Sequence, residues 1–172
     1  MDIWGLRALL ERSHRENYGW ALSCCSHDLR EAEDVLQTVY LKVLDGKARY
    51  DGRATFKTWL FSVIRNTAVE ERRRTILRRL LWIKCRKNTD HVVEGDLDEA
   101  AHQSQIRALL RSTLAALPKR QREVLQLVFY HGFSLQEAAD VMGISIGSAR
   151  THYDRGKKRL RQWLEESKIL DE

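Results

Sequence analysis

Along the chain, stretches in which apolar residues recur every three or four positions alternate with short polar breaks. Trp4, Leu6, Leu9 and Leu10 open the first stretch, and Tyr18, Ala21 and Leu22 continue it, which predicts a helix from Ile3 to about Ser23. His27 and Asp28 read as a turn into a second helix, because an aspartate caps the N–H groups of a first turn well. Ala32, Val35, Leu36, Val39, Tyr40 and Val43 place that helix over Leu29 to Leu44, with Gly46 ending it. After a loop at Lys47 to Ala54, Thr55 caps a third helix running from Phe56 to about Ile83. Its first half buries Phe56, Trp59, Leu60, Val63 and Ile64, and its second half carries Arg72, Arg73, Arg74, Arg78 and Arg79. Such a helix is ~40 Å long.

The pattern then lapses. From Asn88 to Ala101 the chain has little periodicity, and Asp90, Glu94, Asp96, Asp98 and Glu99 follow one another with no Lys or Arg between them. This reads as an acidic linker. Periodicity returns with Ile106, Leu109, Leu110, Leu114 and Leu117. Pro118 is expected in the first turn of the next helix, where a proline lacks nothing it needs. Val124, Leu125, Leu127, Val128 and Phe129 follow, and His131-Gly132 closes that helix. Ser134 caps a short helix from Leu135 to Met142, Gly143-Ile144 turns the chain, and Ser145 caps a last helix to about Ser167. The expectation is an all-α protein of two small helical domains, 1–87 and 106–172, joined by an acidic flexible linker at 88–105.

Composition narrows this picture. Nine glycines and one proline in 172 residues are too few for a fold built on tight turns, and 43% hydrophobic residues suffice for packed cores. The net charge of +6 favours a polyanionic partner. Cys24, Cys25 and Cys85 lack zinc or redox spacing and read as incidental thiols of a reducing compartment. No stretch has the ~18 apolar residues of a membrane span, and Met1 to Trp4 has no signal-peptide character. A cytoplasmic protein with no direct membrane insertion is expected.

Three constellations point to function. Ser134 to Arg150 reads as a helix-turn-helix: Ala139 allows two helices to cross closely, Gly143 takes the left-handed turn, and Ile144, Ile146 and Ala149 pack the second helix. Its exposed residues include Ser148, Arg150, Thr151, His152 and Arg155, followed by Lys157, Lys158, Arg159 and Arg161. Arginine can read guanine bidentately, and serine and threonine suit phosphates or bases. Second, nine Lys or Arg and two Glu lie between Arg65 and Lys87, just after Tyr50, Phe56, Trp59 and Phe61. Cations beside aromatic rings suit unpaired bases, although core packing is the plainer account of Trp59 and, above all, Phe56. Third, Arg30, Glu31, Glu33, Asp34, Gln37, Thr38 and Lys42 form a polar face on the second helix.

The order of these features resembles the extracytoplasmic-function (ECF) group of the sigma-70 family. Arg30-Glu31-Ala32-Glu33-Asp34-Val35-Leu36-Gln37 is similar to that family's D-A-E-D-x-x-Q-[DE] helix. Thr55 to Asn66 is similar to its F-x-T-W-L-x-x-I-x-x-N stretch, and Leu114 to Val124 to its L-x-x-L-P-x-x-x-R-E-V entry to region 4. The resemblance covers about residues 16–87 and 106–165. It implies that Glu33, Asp34, Gln37 and Thr38 dock on core RNA polymerase. It implies that Tyr50, Arg53, Lys57, Trp59, Asn66, Arg72 and Arg73 hold the opened −10 element. Ser145, Ser148, Arg150, Thr151, His152, Arg155 and Lys158 would meet the −35 element. The acidic linker would thread the channel that RNA later occupies, and an anti-sigma factor, often membrane-bound, would hold the protein inactive. Thr38, Asp51, Ala149 and His152 depart from the family's commoner acidic, Arg, Val and Arg residues, and Asp51 would repel phosphate.

Two other readings compete. An autonomous helix-turn-helix regulator would bind duplex DNA as a dimer, but it leaves the N-terminal module unexplained. A nuclease needs clustered carboxylates around metal, and the acids here, flanked by His91 and His102, lie in a linker without a rigid frame. The expectation is therefore an initiation factor and not an enzyme. It would have no metal, no cofactor and no small-molecule substrate.

Overall fold

The computed structural model describes residues 3–83 and 113–169, all helix, turn or loop. Two units emerge, Met1–Gly95 and Asp96–Glu172. The expected linker, most of the helix around Ile106, and Cys85 lie outside the described residues.

In the first unit, four helices pack around one core: α1 (Ile3–Arg12), α2 (His14–Cys24), α3 (Leu29–Leu44) and α4 (Phe56–Ile83). The single helix expected at its start is two, broken at Ser13. Ser13 Oγ donates to the Leu9 carbonyl at 2.8 Å and accepts from Asn17 Nδ2 at 3.0 Å. Such back-bonding bends helices, while the apolar spacing runs on undisturbed across the break. Between α2 and α3, Ser26 and His27 both take left-handed backbone angles, φ 57° and 67°. The chain reverses there because the His27 N–H reaches the Leu22 carbonyl at 2.8 Å. Asp28 then caps α3 as expected, accepting from the Glu31 N–H at 2.9 Å.

The core is closed by Val35, Leu36, Val39 and Val43 of α3 against Trp20, Ala21 and Cys24 of α2 and Leu60, Phe61 and Ile64 of α4, all buried. Trp20 stacks on Phe61 with ring centroids 5.6 Å apart and donates its indole N–H to the Phe61 carbonyl at 3.0 Å. Cys24 and Cys25 are buried thiols in this core. Lys42 of α3 joins Glu70 of α4 at 3.1 Å and Thr67 Oγ1 at 3.4 Å. With Arg74 added at 2.6 Å, the Glu70 carboxyl sits below its ordinary 4.5, chiefly through the Lys42 hydrogen bond and charge. Tyr40 is hydrogen-bonded by Asn17 at 3.1 Å, and burial raises its phenol above the ordinary value.

In the second unit, residues 113–116 are helical. Then come α5 (Lys119–Leu125), a π-helical turn (Gln126–Tyr130), α6 (Leu135–Met142) and α7 (Ile146–Ile169). Pro118 is not in the first turn: its ψ of 139° is extended, so it stands just outside α5 and offers its carbonyl to Gln121 and Arg122. The π-helical turn was not foreshadowed by the periodicity. It leaves Leu127 buried and sets Phe129 and Tyr130 outward, 65% and 79% exposed. Phe129, which continues the apolar run of the sequence, stacks on Tyr153 with centroids 5.8 Å apart. Gly156 of α7 lies against α5 so closely that a Cβ there would come 2.8 Å from Leu125 Cδ1.

Candidate nucleic-acid interface

On α3 the apolar positions face the core, which leaves Glu33, Asp34 and Gln37 exposed together and Thr38 at their half-buried edge. Among the described residues, none of these four has an ion pair.

Before α4 the chain builds a small closed loop. Gly46 and Gly52 take φ 68° and 75°, a region glycine enters without penalty. The Tyr50 hydroxyl donates to the Ala54 carbonyl at 2.6 Å, and the Arg53 N–H donates to Asp51 Oδ1 at 3.1 Å. Thr55 caps α4 as expected, its Oγ1 accepting from the Thr58 N–H at 3.1 Å. The rings of Tyr50, Phe56 and Trp59 meet pairwise at 5.4–5.6 Å and stay partly open to solvent. Phe61, grouped with them on the sequence, is fully buried against Trp20 and takes no part in this surface.

From Trp59, steps of seven residues lead to Asn66 and Arg73, a stripe down one side of α4, since seven residues make nearly two turns. Asn66 and Arg73 are exposed. Arg72 lies ~220° from Trp59 about the helix axis and is exposed on another side. Lys57 also lies off the stripe: it pairs with Glu16 of α2 at 2.9 Å and stands 5.8 Å from the Phe61 ring centroid. Arg53 pairs with Asp51 at 3.2 Å. Arg74 is tied to Glu70 and Glu71, whereas Arg72, Arg73, Arg78 and Arg79 have no ion pair among the described residues. The partnership of Lys57 with Glu16 was missed, because 41 residues separate them and no local pattern joins them.

In the second unit Ser134 and Glu137 form a reciprocal capping box at the start of α6. Gly143 ends α6 with φ 63°, and the Ile144 N–H reaches the Ala139 carbonyl at 3.1 Å. Ala138, Ala139 and Ala149 are wholly buried where α6 and α7 cross, the helix-turn-helix arrangement expected. Ser145 Oγ accepts from the Ser148 N–H at 3.2 Å and donates to Ser148 Oγ at 2.9 Å. Thr151 Oγ1 donates to the Gly147 carbonyl at 3.0 Å. Arg150, Thr151, Arg155 and Lys158 share one exposed side of α7, with Ser148 at its edge. His152 is half-buried and ~200° from Arg150, so it flanks that side rather than joining it. Asp154 stands amid the cations and meets Lys157 at 3.6 Å. Among the described residues no cluster of three or more His, Cys, Asp or Glu could hold a metal, and no helix is long and apolar enough to cross a membrane.

Two family models match, sigma-70 region 2 over residues 9–77 and sigma-70 region 4 over residues 107–160. The chain belongs to the sigma-70 family. Its relatives place it in the ECF group. It is 34% identical over 146 residues to the ECF RNA polymerase sigma factor SigX of Bacillus subtilis, covering 80% of this chain and 73% of SigX. It is 28% identical over 162 residues to the ECF sigma factor SigL of Mycobacterium tuberculosis, covering 94% and 89%. Among solved structures it shares its fold with the sigma factor RpoE crystallised with the anti-sigma factor NepR from Bartonella quintana. That match has TM-score 0.69 and 22% identity, with 94% and 97% of the two chains covered. CnrH in complex with the cytosolic domain of CnrY matches with TM-score 0.62, 22% identity, and 92% and 86% covered. This ECF sigma factor is an initiation factor that works with core RNA polymerase at promoters, and sigma factors are not catalysts on their own.

Proposed function

We propose that residues 1–87 bind core RNA polymerase and the −10 element, that 106–172 bind the −35 element, and that the acidic segment 88–105 connects them. The observation that carries this reading is the separation of surfaces on the first unit. The exposed Glu33, Asp34 and Gln37 lie on α3, whereas the partly exposed aromatic rings and the exposed Asn66 and Arg73 lie on α4 and the loop before it. Glu33, Asp34 and Gln37, with Thr38 at their edge, form the polymerase contact. Tyr50, Trp59, Asn66 and Arg73 form the main −10 surface: rings to stack on unpaired bases, an amide to hydrogen-bond them and a cation for the backbone. Arg53 and Lys57 join from their ion pairs, and Arg72 contributes charge from the other side of α4. On α7, Arg150, Thr151, Arg155 and Lys158 enter the groove, Ser145 and Ser148 lie at the helix start, and His152 touches the flank.

The sigma factor RpoE, which has the same fold, is crystallised in complex with the anti-sigma factor NepR. The same regulation is proposed here, with a protein that works in the cytoplasm and has no catalytic activity, cofactor or metal of its own. The test is co-elution with bacterial core RNA polymerase on gel filtration, beside an Asp34→Arg variant. Stoichiometric co-elution of the native chain, lost in the variant, is expected. Equal co-elution of both would remove α3 from the polymerase contact.

A further inference from the structure

Between Gly46 and Lys57 the chain has four cations, Lys47, Arg49, Arg53 and Lys57, and a single acid, Asp51. By charge alone that acid is out of place beside a DNA strand, because it repels phosphate. Its geometry gives it another use. Asp51 Oδ1 accepts the Arg53 N–H at 3.1 Å, and Oδ2 meets Arg53 Nε at 3.2 Å. Its own loop therefore orients the carboxylate, which stays 57% exposed. A carboxylate oxygen has two lone-pair directions; the Arg53 N–H takes one on Oδ1, and Oδ2 meets the guanidinium as an ion pair. Arg53 screens the charge without closing the remaining acceptors. One residue away, Tyr50 is fixed by its bond to Ala54 and by its ring contacts with Phe56 and Trp59. The aromatic platform and the held carboxylate thus belong to neighbouring residues of one short loop.

We propose that Asp51 is a base-specificity residue. It accepts a hydrogen bond from the exocyclic amino group of an unpaired base resting on the Tyr50–Trp59 platform, and so excludes thymine from that position. This rests on the proposed reading of the loop as the −10 contact. Adenine, cytosine and guanine all carry an exocyclic amino group. Thymine has one ring N–H between two carbonyl oxygens, and those oxygens would face the carboxylate with no proton to share. The residue that looks unfavourable for phosphate is, on this reading, directed at a base edge.

The test uses the full-length protein assembled with core polymerase and a pool of promoter templates randomised across the −10 region, with the transcribed templates sequenced. The native protein is expected to show one position at which thymine is depleted about tenfold against the other three bases. In Asp51→Ala that depletion should fall below about threefold while preferences at other positions persist. Asp51→Asn keeps an acceptor for the Arg53 N–H and adds an amide donor for a thymine carbonyl, so thymine should be admitted. The inference is overturned if the native protein depletes thymine nowhere, if both variants deplete it as the native protein does, or if they lower every preference equally. Trp59→Ala in the same pool separates the two levels. If Trp59→Ala alters the −10 profile and Asp51→Ala does not, only this inference fails. If neither alters it, the loop is not the −10 contact and the underlying reading fails with it.

Discussion

Replacing Gly156 by alanine sets two effects against each other at one carbon atom. Glycine inside a helix is less favourable than alanine by roughly 1 kcal/mol, so the substitution should help α7. The added methyl, however, would stand 2.8 Å from Leu125 Cδ1, 3.3 Å from Leu125 Cγ and 3.4 Å from Gln121 Cβ. Carbon atoms rest at about 3.5–4.0 Å, so the two Leu125 contacts are compressed, while the Gln121 contact is an ordinary one. Leu125 and Gln121 are only 2% and 7% exposed, which leaves neither side chain room to swing away. Overpacking of this kind costs about 1–3 kcal/mol, so the net effect should be a loss of about 1 kcal/mol. Gly147, in the same helix, has nothing within 4 Å of an added Cβ. Gly147→Ala should therefore be neutral or stabilising by a few tenths to 1 kcal/mol. The assay is urea unfolding of both full-length variants followed by circular dichroism at 222 nm. If Gly156→Ala raises stability as much as Gly147→Ala does, the close approach of α5 and α7 is not the constraint argued for it.

Three further outcomes are expected. Glu70→Gln should lower stability near neutral pH. Because the folded carboxyl lies below its ordinary 4.5, the native protein's advantage is present above that value and fades as pH falls through the folded one. Urea midpoints from pH 7 to pH 3 should show the two proteins converging, and a constant gap would point to lost packing instead. Ser134→Ala removes half of the capping box and should cost about 0.5–2 kcal/mol in the same unfolding assay. Arg150→Ala should weaken −35 recognition by about 1–3 kcal/mol if the guanidinium reads a base. Unchanged run-off transcription from a cognate promoter would remove Arg150 from that role.

What could be read from the chain alone followed from short-range physics. The face of α3 was legible because Ala32, Val35, Leu36 and Val39 recur at helical spacing and all are buried. The caps at Asp28, Thr55, Ser134 and Ser145 were legible because each sits just before an apolar run and has a side-chain oxygen within reach of its own first turn. The break at Ser13 was not, since one side-chain hydrogen bond bends a helix without disturbing its apolar pattern. The left-handed pair Ser26–His27 and the π-helical turn carry no compositional mark. Gly156 reads locally as a weak point in a helix; only the neighbouring Leu125 shows it to be a contact. Trp59 and Phe61 looked alike beside the cations, but the second continues the spacing of Leu60, Ile64 and Ala68 into the core. Charge proved legible as a total and illegible as availability, because Glu16 and Glu70 reach cations far away in the chain or on another helix.

The hydroxyls at the start of α7 have a consequence for how that helix can address DNA. The Thr151 proton is committed to the Gly147 carbonyl, and the Ser145 proton to Ser148 Oγ. What each oxygen has left to offer is acceptor capacity, part of which on Ser145 already takes the Ser148 N–H, and a phosphate oxygen has no hydrogen to give either of them. Ser148 alone of the three keeps its proton uncommitted. With α7 in a major groove, Ser145 and Thr151 would suit base amino groups and bridging waters, while among the hydroxyls a phosphate would fall to Ser148. A helix that uses its own side-chain protons to hold its first turns has thereby set, before any DNA arrives, which of its hydroxyls can only accept a hydrogen bond and which can still donate one.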